Sequence, residues 1–147
     1  MKKLLFILAA LMLIATACKK EDKKVDYKKS IVGEWHCTPA EIDADVYVSF
    51  AEDGSFDLFQ KIGEGRHRHY TGDWAIEGKT LSGHYADGTD WGSAYTMDFS
   101  TEGTMVLTAL NGSEEVMVYV KEEIPSDIKN GAVEVKSAYT EDIRPLL

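Results

Sequence analysis

The sequence predicts an all-β domain, an eight-stranded antiparallel up-and-down barrel followed by a short irregular C-terminal tail. Two observations carry this prediction. First, segments that alternate apolar and polar residues recur along residues 31–121, with turn residues between them and no segment of helical period. Second, one turn signature occurs twice, as FAEDGSF (50–56) and as FSTEGTM (99–105). Closure into a barrel removes the sheet edges that such a meander would otherwise expose, and a two-sheet sandwich is the alternative.

The repeated signature predicts two hairpins of the same geometry. An acid and a glycine between two apolar runs are typical of a three-residue loop, which glycine closes in the left-handed region. The loops are then residues 52–54 and 101–103. The expected strands are 31–37, 44–50, 55–61, 67–77, 80–86, 93–100, 104–110 and 115–121. The expected pairs are Phe50 with Phe56, Val48 with Leu58, Phe99 with Met105, and Met97 with Leu107.

Two further turns are expected at Glu77-Gly78 and Asn111-Gly112, the second being a strong signal for a two-residue hairpin turn. Both registers bring large apolar side chains to one face. The expected pairs around the first turn are Trp74 with Leu81, Gly72 with Gly83, and Tyr70 with Tyr85. Around the second turn they are Leu107 with Val116 and Met105 with Val118.

The inward face of these strands predicts a binding lumen. The expected inward residues are Trp35, Val48, Phe50, Phe56, Leu58, Tyr70, Trp74, Tyr85, Tyr95, Met97, Phe99, Met105, Leu107, Val116 and Val118. An eight-stranded barrel either fills with such side chains or holds one small ligand. Facing glycines would remove volume from the wall, and tyrosine hydroxyls would supply polar contacts to an apolar or amphipathic ligand. The predicted ligand contacts are Tyr70, Gly72, Trp74, Gly83, Tyr85, Tyr95, Met97 and Leu107.

The chain begins with the pattern of a signal peptide over residues 1–17, with two lysines, an apolar run and then small residues. The run is too short for a lasting transmembrane helix. The string ATAC, which ends at Cys18, resembles the lipobox of bacterial lipoproteins, with Ala15 in place of the more usual leucine. The resemblance implies cleavage before Cys18 and a diacylglycerol and a palmitate-type acyl chain on that residue, which together anchor a protein in a membrane. An ordinary secretory signal with a chance cysteine is the alternative.

The remaining chain divides into three parts. Residues 18–30 are rich in lysine and are expected to form a flexible tether. Their first residues, KKED (19–22), resemble the surface-export signal of Bacteroidota lipoproteins, which implies an outer-membrane, cell-surface location. Residues 31–124 are expected to form the barrel, and residues 125–147 a tail packed on or beside it.

Charge and cysteine content exclude several function classes. The chain has a formal net charge of −9, and residues 31–147 carry −14. Such an acidic body repels phosphate backbones, so we expect no nucleic-acid partner. Cys37 has no disulfide partner if Cys18 is acylated, and is expected to be a small core residue. No nucleophile elbow, phosphate loop or HExxH motif occurs, so we expect neither an enzyme nor a cofactor.

The order of motifs resembles a known family. Gly33 and Trp35 resemble the G-x-W of lipocalins, and residues 31–124 resemble the lipocalin-like (calycin-type) domains of Bacteroidota lipoproteins, through IVGEWHCT, YVSFAEDGSFDL, YTGDWAIEGKTLSG and LTAL. The resemblance implies that Gly33 and Trp35 mark the base of a barrel. It also implies a basic residue packed over the tryptophan, for which Lys121 is the candidate.

The barrel end away from the tether carries acids, histidines and Trp91. Its acids are Glu41, Asp43, Asp45, Glu64, Asp87 and Asp90, which are expected to be solvated loop residues rather than a calcium site. His67, His69 and His84 have a spacing at which zinc or copper could bind, but they lie on the outward face, so no metal site is predicted. The alternative to a ligand carrier is a solid barrel whose outer loops, with Trp91 exposed, contact a surface protein or glycan.

Overall fold

The computed structural model describes residues 24–138 and 144–147. The predicted signal peptide and Cys18 lie outside these residues. The elements, in chain order, are α1 (Tyr27–Ile31), β1 (Gly33–Cys37), β2 (Ala44–Phe50), β3 (Ser55–Ile62), β4 (Arg68–Glu77), β5 (Thr80–Tyr85), β6 (Tyr95–Asp98), β7 (Thr104–Ala109), β8 (Val116–Lys121), α2 (Ser126–Gly131) and β9 (Val133–Glu134).

The first eight strands form a closed, all-antiparallel up-and-down barrel, which confirms the predicted fold class. Neighbouring strands follow the order β3-β2-β1-β8-β7-β6-β5-β4, and β3 pairs with β4 to close the ring. The ninth strand adds to the outside of this ring, parallel to β4, with Arg68 opposite Val133. It occupies the part of β4 that β5 leaves unpaired, because the β4–β5 ladder begins only at Gly72.

The repeated signature forms the two predicted hairpins. Phe50 faces Phe56 between β2 and β3, and Met97 faces Leu107 between β6 and β7. Gly54 and Gly103, which close the two loops, have φ values of 91° and 69°. A side chain is strained at such a φ, so both loops need glycine. The same seven-residue pattern therefore recurs because the same loop geometry recurs.

The register predicted around Asn111-Gly112 is wrong by one residue. Leu107 faces Met117, not Val116, and Met105 faces Tyr119, not Val118. The loop is longer than a two-residue turn, since the Ala109 amide donates to the carbonyl of Glu115. A shift of one residue turns every side chain of a strand to the other face. Met117 and Tyr119 are consequently buried, and Val116 and Val118 are half exposed on the outside.

The register predicted around Glu77-Gly78 is wrong by two residues. The turn consists of Gly78 and Lys79, since Glu77 faces Thr80, and this change pairs Gly72 with Tyr85 and Gly83 with Trp74. A two-residue shift keeps each side chain on its predicted face, so Trp74 and Tyr85 still point inward. The two glycines do not face each other.

Gly33, Trp35 and Lys121 close the base of the barrel. The Trp35 indole Nε1 donates to the carbonyl of Ile31 at 2.8 Å, which ties the strand to the end of α1. The Lys121 ammonium lies 5.0 Å from the centroid of the Trp35 ring, where the family resemblance required a basic residue. Gly33 has a φ of 137°, and a Cβ there would lie 2.9 Å from Lys121 Cε. The φ favours glycine here, whereas the flexible end of the lysine could move aside for a Cβ.

The chain after β8 wraps the outside of the barrel from its base to its open end. Ile124 is buried against Tyr47 and Phe59, which point outward from β2 and β3, and Ile128 of α2 packs beside them. The Ile124 amide donates to the carboxylate of Glu34 at 2.9 Å. This second small core covers the outer face of two strands and directs the following residues toward β9.

The pairing between β5 and β6 is short, as is the pairing between β1 and β8. Only two residue pairs join β5 and β6, Thr80 with Thr96 and Leu81 with Tyr95. Toward the open end, the loop after β5 folds back along that strand instead, with the Trp91 amide donating to the carbonyl of Gly83 and the Tyr85 amide to the carbonyl of Thr89. The barrel wall is continuous there because a loop replaces a strand.

Candidate functional site

The interior of the barrel is packed with the side chains that the sequence placed there. Of the expected inward residues, Phe99 is partly buried, Val116 and Val118 are exposed, and the others are buried. Aromatic rings meet edge to face, as for Phe56 and Tyr85, whose centroids are 5.8 Å apart. Four surface pockets are lined mainly by loop and outer-face residues rather than by these rings.

The space beside the two inward glycines is filled. A Cβ on Gly72 would lie 2.8 Å from the Phe56 ring and still nearer the carbonyl of His84. A Cβ on Gly83 would lie 2.4 Å from the indole of Trp91. Each glycine therefore permits close packing of an aromatic ring or a backbone group, and the expectation that both would open a cavity is wrong.

The last residues of the sequence, Arg144–Leu147, enter the open end of the barrel, and we call them the tail segment. Leu147 is buried, and its main-chain oxygen accepts hydrogen bonds from the Tyr85 hydroxyl at 2.7 Å and from the Gly92 amide at 3.1 Å. The Tyr95 hydroxyl donates to the carbonyl of Leu146 at 3.3 Å. Two of the three tyrosines predicted as polar contacts for a ligand, Tyr85 and Tyr95, thus bind the protein's own backbone.

Gln60 of β3 holds the same segment. Its amide Nε2 donates to the carbonyl of Arg144 at 2.9 Å, and its Oε1 accepts from the Leu146 amide at 2.8 Å. Gln60 is only 1% exposed, so the tail satisfies an amide that would otherwise be buried without partners. This residue was not among the predicted ligand contacts, although a glutamine on the inward phase of an apolar strand was the available signal.

Trp91 does not lie exposed on the outer rim as predicted. It is 5% exposed and packs at 5.1 Å, edge to face, on Phe56 inside the open end. The space left by Gly83 admits its ring. Its indole Nε1 is buried and has no hydrogen-bond partner among the described residues. An unmatched donor therefore lies in the same end of the barrel as the tail segment.

The other predicted ligand contacts lie away from the tail segment. Trp74 donates from its indole Nε1 to the carbonyls of Ala51 and Ser55, near the base. Met97 and Leu107 face each other in the buried interior. Tyr70 packs against Tyr85, with the two ring centroids 5.9 Å apart. Tyr85 and Tyr95 are thus the members of the predicted set that hydrogen-bond the tail.

A groove of about 670 Å³ lies next to the tail segment, between the turn that joins β3 to β4 and the residues after α2. Gln60 forms part of its lining, so the groove adjoins the residue that holds the tail. The charged side chains along it are Glu64, Arg66, Arg68, Glu134 and Lys136. The groove and the tail segment together form the candidate site.

The histidines lie outside this site, each with a ring nitrogen within hydrogen-bonding distance of an acid. His67 contacts Asp45 at 2.8 Å, and Asp45 also contacts His36 at 2.6 Å. Burial opposes ionisation of Asp45, but the hydrogen bonds and charges of the two histidines outweigh it and lower the pKa of the carboxyl. His69 and His84 pair with Asp57 and Asp90.

These pairs do not converge on one point. The corrected register places His84 opposite Asp73, away from His69. Within residues 24–138 and 144–147, no group of three or more histidine, cysteine or acidic side chains is arranged to hold a metal ion.

Cys37 lies in the buried core, and burial raises the pKa of its thiol to about 11, against a hydrogen bond from the Val118 backbone that lowers it. Such a thiol is protonated at neutral pH and unreactive. No helix in the part of the chain that the structure describes is long and apolar enough to cross a membrane.

No family model matches the sequence, and a search of curated proteins found no match.

Proposed function

We propose that this protein is a lipid-anchored, lipocalin-like binding protein of the outer membrane, which takes a small apolar or amphipathic molecule into the open end of its barrel. The anchor is Cys18, and the binding site is the region that the tail segment occupies. The barrel fold and the G-x-W base support the comparison with lipocalins. The tail segment would have to leave for a ligand to enter.

The observation that carries this proposal is the way the barrel holds its tail. Three side chains in an otherwise apolar wall, Gln60, Tyr85 and Tyr95, all make hydrogen bonds to one short segment. That segment offers two leucine side chains and several carbonyl acceptors, which is the chemistry of an amphipathic ligand. A molecule with an alkyl chain and one or two acceptor oxygens can make the same contacts.

Competition with the tail sets the apparent affinity. If the ligand binds only when the tail is out, the measured dissociation constant is the intrinsic one divided by the fraction of molecules in that state. Weakening the tail without changing the wall should therefore tighten ligand binding. Leu147→Ser does this, since it removes an apolar side chain whose burial contributes about 2 kcal/mol.

The test is native mass spectrometry of the wild type and Leu147→Ser, incubated with single-chain amphiphiles of eight to sixteen carbons. We expect one molecule bound per chain, and tighter binding by Leu147→Ser. Gly131→Ala, at a position with open space around it, is the matched control and should bind as the wild type does. No binding by either wild type or Leu147→Ser would refute the carrier function.

The anchor has its own test. Labelled palmitate supplied to the native cells should be incorporated into the wild type and not into Cys18→Ala, and the wild type should fractionate with the outer membrane. Protease treatment of intact cells then reports whether the barrel faces outward. Incorporation into Cys18→Ala equal to that of the wild type would exclude Cys18 as the acylated residue.

A second candidate function is a protein-interaction module with a solid barrel, and the outer face of β8 favours it. Val116, Val118 and Val120 are 54%, 50% and 46% exposed along one strand face. Exposed apolar stripes of this kind are typical of contact surfaces. A photo-cross-linker at Val118 should then capture one partner protein in the native cells, whereas the same group at exposed Ser82 should not. Equal capture at both positions would argue against this function.

A further inference from the structure

We propose that the groove beside the tail segment binds the anionic head group of the ligand, while the alkyl chain takes the place of Leu146 and Leu147. The ligand class is then an anionic amphiphile, such as an alkyl carboxylate or an alkyl phosphate. This inference rests on the proposed function, because it names the class of molecule that the same site would bind.

The first argument is the distribution of charge. Residues 31–147 contain 22 acids and only 8 lysines and arginines, so most of the surface repels an anion. Three of those eight cations, Arg66, Arg68 and Lys136, line this one groove. Two acids, Glu64 and Glu134, line it as well, so the lining side chains within residues 24–138 and 144–147 carry a net charge of +1. That balance suits one negative charge better than several.

The second argument is continuity between the groove and the interior. Gln60 lines the groove and is also the residue that binds the carbonyl of Arg144 and the amide of Leu146. A chain that replaces the tail segment beneath Gln60 therefore has its polar end beside the groove. Arg66 and Lys136 are exposed, so their charged groups can move to meet a head group there.

The other grooves fit this ligand less well. The pocket between residues 37–42 and 113–118 carries Glu41, Glu114 and Glu115, which repel an anion. The pocket beside α1 carries two lysines, Lys28 and Lys29, but it lies at the base of the barrel, at the opposite end from the tail segment. Among four pockets formed by the described residues, the groove at Gln60 is lined by the most cations, and it lies at the open end.

The experiment compares three ligands of equal chain length: decanoate, decyl phosphate and decanol. Their dissociation constants are measured by titration calorimetry with the wild type, Leu147→Ser, and the double variant Arg66→Gln/Lys136→Gln in both backgrounds. Lys79→Gln is the matched control, because Lys79 is exposed in the turn at the base. Thermal unfolding of each variant establishes that it is folded, and inorganic phosphate is titrated as a head group without a chain.

We expect the double variant to weaken decanoate and decyl phosphate about three- to tenfold, as for the loss of two exposed charge pairs, with decanol unchanged. Added salt should weaken the two anions in the same selective way. Equal effects on all three ligands, or none on the anions, would overturn the inference while leaving the carrier function in place. Inorganic phosphate that binds as tightly as decyl phosphate would also overturn it. Failure of every amphiphile to bind would instead refute the carrier function.

Discussion

The hydroxyl of Tyr85 donates a 2.7 Å hydrogen bond to the main-chain oxygen of Leu147, 62 residues further along the chain. Tyr85 was expected from the sequence to contact a ligand, and it contacts the tail segment instead. The barrel therefore contains a site of the expected chemistry whose occupant in this conformation is part of the same chain.

Tyr85→Phe should weaken the binding of the tail segment to the barrel with little change to the barrel itself. The substitution removes one buried hydrogen bond and leaves the Leu147 oxygen with one fewer donor, a loss of about 1 kcal/mol. Amide hydrogen exchange at Leu146 and Leu147 should accelerate about fivefold. Tyr119→Phe is the control, because the Tyr119 hydroxyl donates to the Met117 sulfur, at 3.8 Å, rather than to the tail segment. Unchanged exchange in Tyr85→Phe would show that this hydrogen bond does not hold the tail.

Gly83→Ala should destabilise the whole barrel. The added Cβ would lie 2.4 Å from the Trp91 ring and 2.7 Å from the carbonyl of Asp73, and the backbone carbonyl cannot move aside cheaply. We expect a loss of about 1–3 kcal/mol in the free energy of unfolding, measured in urea. Gly131→Ala meets nothing within 4 Å and should stay within about 0.5 kcal/mol of the wild type. Equal stabilities for the two variants would contradict the packing of Trp91 over Gly83.

Trp91→Ala should behave as a core substitution. The sequence analysis placed this residue on the exposed rim, where its loss would affect only partner binding. Its burial in the structure predicts a loss of about 3–5 kcal/mol on thermal unfolding. Leu110→Ala, at a residue that is 53% exposed, should change stability little. A melting temperature unaffected by Trp91→Ala would restore the rim interpretation.

Stability should fall in acid as Asp45 becomes protonated. The carboxyl has a lowered pKa in the folded state, so its ionised form stabilises the fold above the unfolded value of 3.8. That contribution is lost as the pH falls through the folded-state pKa, below 3.8. Urea midpoints measured from pH 5 to pH 2 should therefore decline less in Asp45→Asn than in the wild type. Parallel curves for the two proteins would mean that Asp45 contributes nothing to the acid dependence.

Cys37 should resist thiol reagents in the folded protein. Burial raises the pKa of its thiol to about 11, so almost no thiolate is present at pH 8. Labelling should proceed at the rate of global unfolding and become fast in urea.

Because the unfolded thiol ionises near pH 9.0 and the folded one does not, stability should also fall above that pH. Cys37→Ala should not show this loss of stability above pH 9.0. Rapid labelling of the native protein would show that the thiol is accessible.

The strands and most of the core were predictable because alternation and glycine loops are local signals. The register around Asn111 was not, since both faces of VMVYV (116–120) are apolar and the pattern does not choose between them. The length of the turn sets the register instead. In this turn Glu114 adopts a φ of 56°, which is unusual for a glutamate. The Asn111-Gly112 pair predicts a two-residue turn, and it does not indicate the longer loop.

The candidate site was predictable only in part. Tyr85 and Tyr95 were identified as polar side chains of the interior, and they do line the open end. The tail segment was expected on or beside the barrel, but which of its residues would enter depends on contacts between positions more than 50 apart, such as Tyr95 with Leu146. Local patterns carry no information about such contacts.

The narrow pairing between β5 and β6 also bears on how copies of this chain could associate. If the two residue pairs there separate, two strands present unpaired N–H and C=O groups, which are templates for pairing with another molecule. The loop from Ala86 to Ala94 shields part of that edge, because Thr89 and Trp91 already occupy hydrogen-bonding groups of β5. We therefore expect this loop to limit domain exchange and strand-by-strand aggregation, whatever the barrel binds.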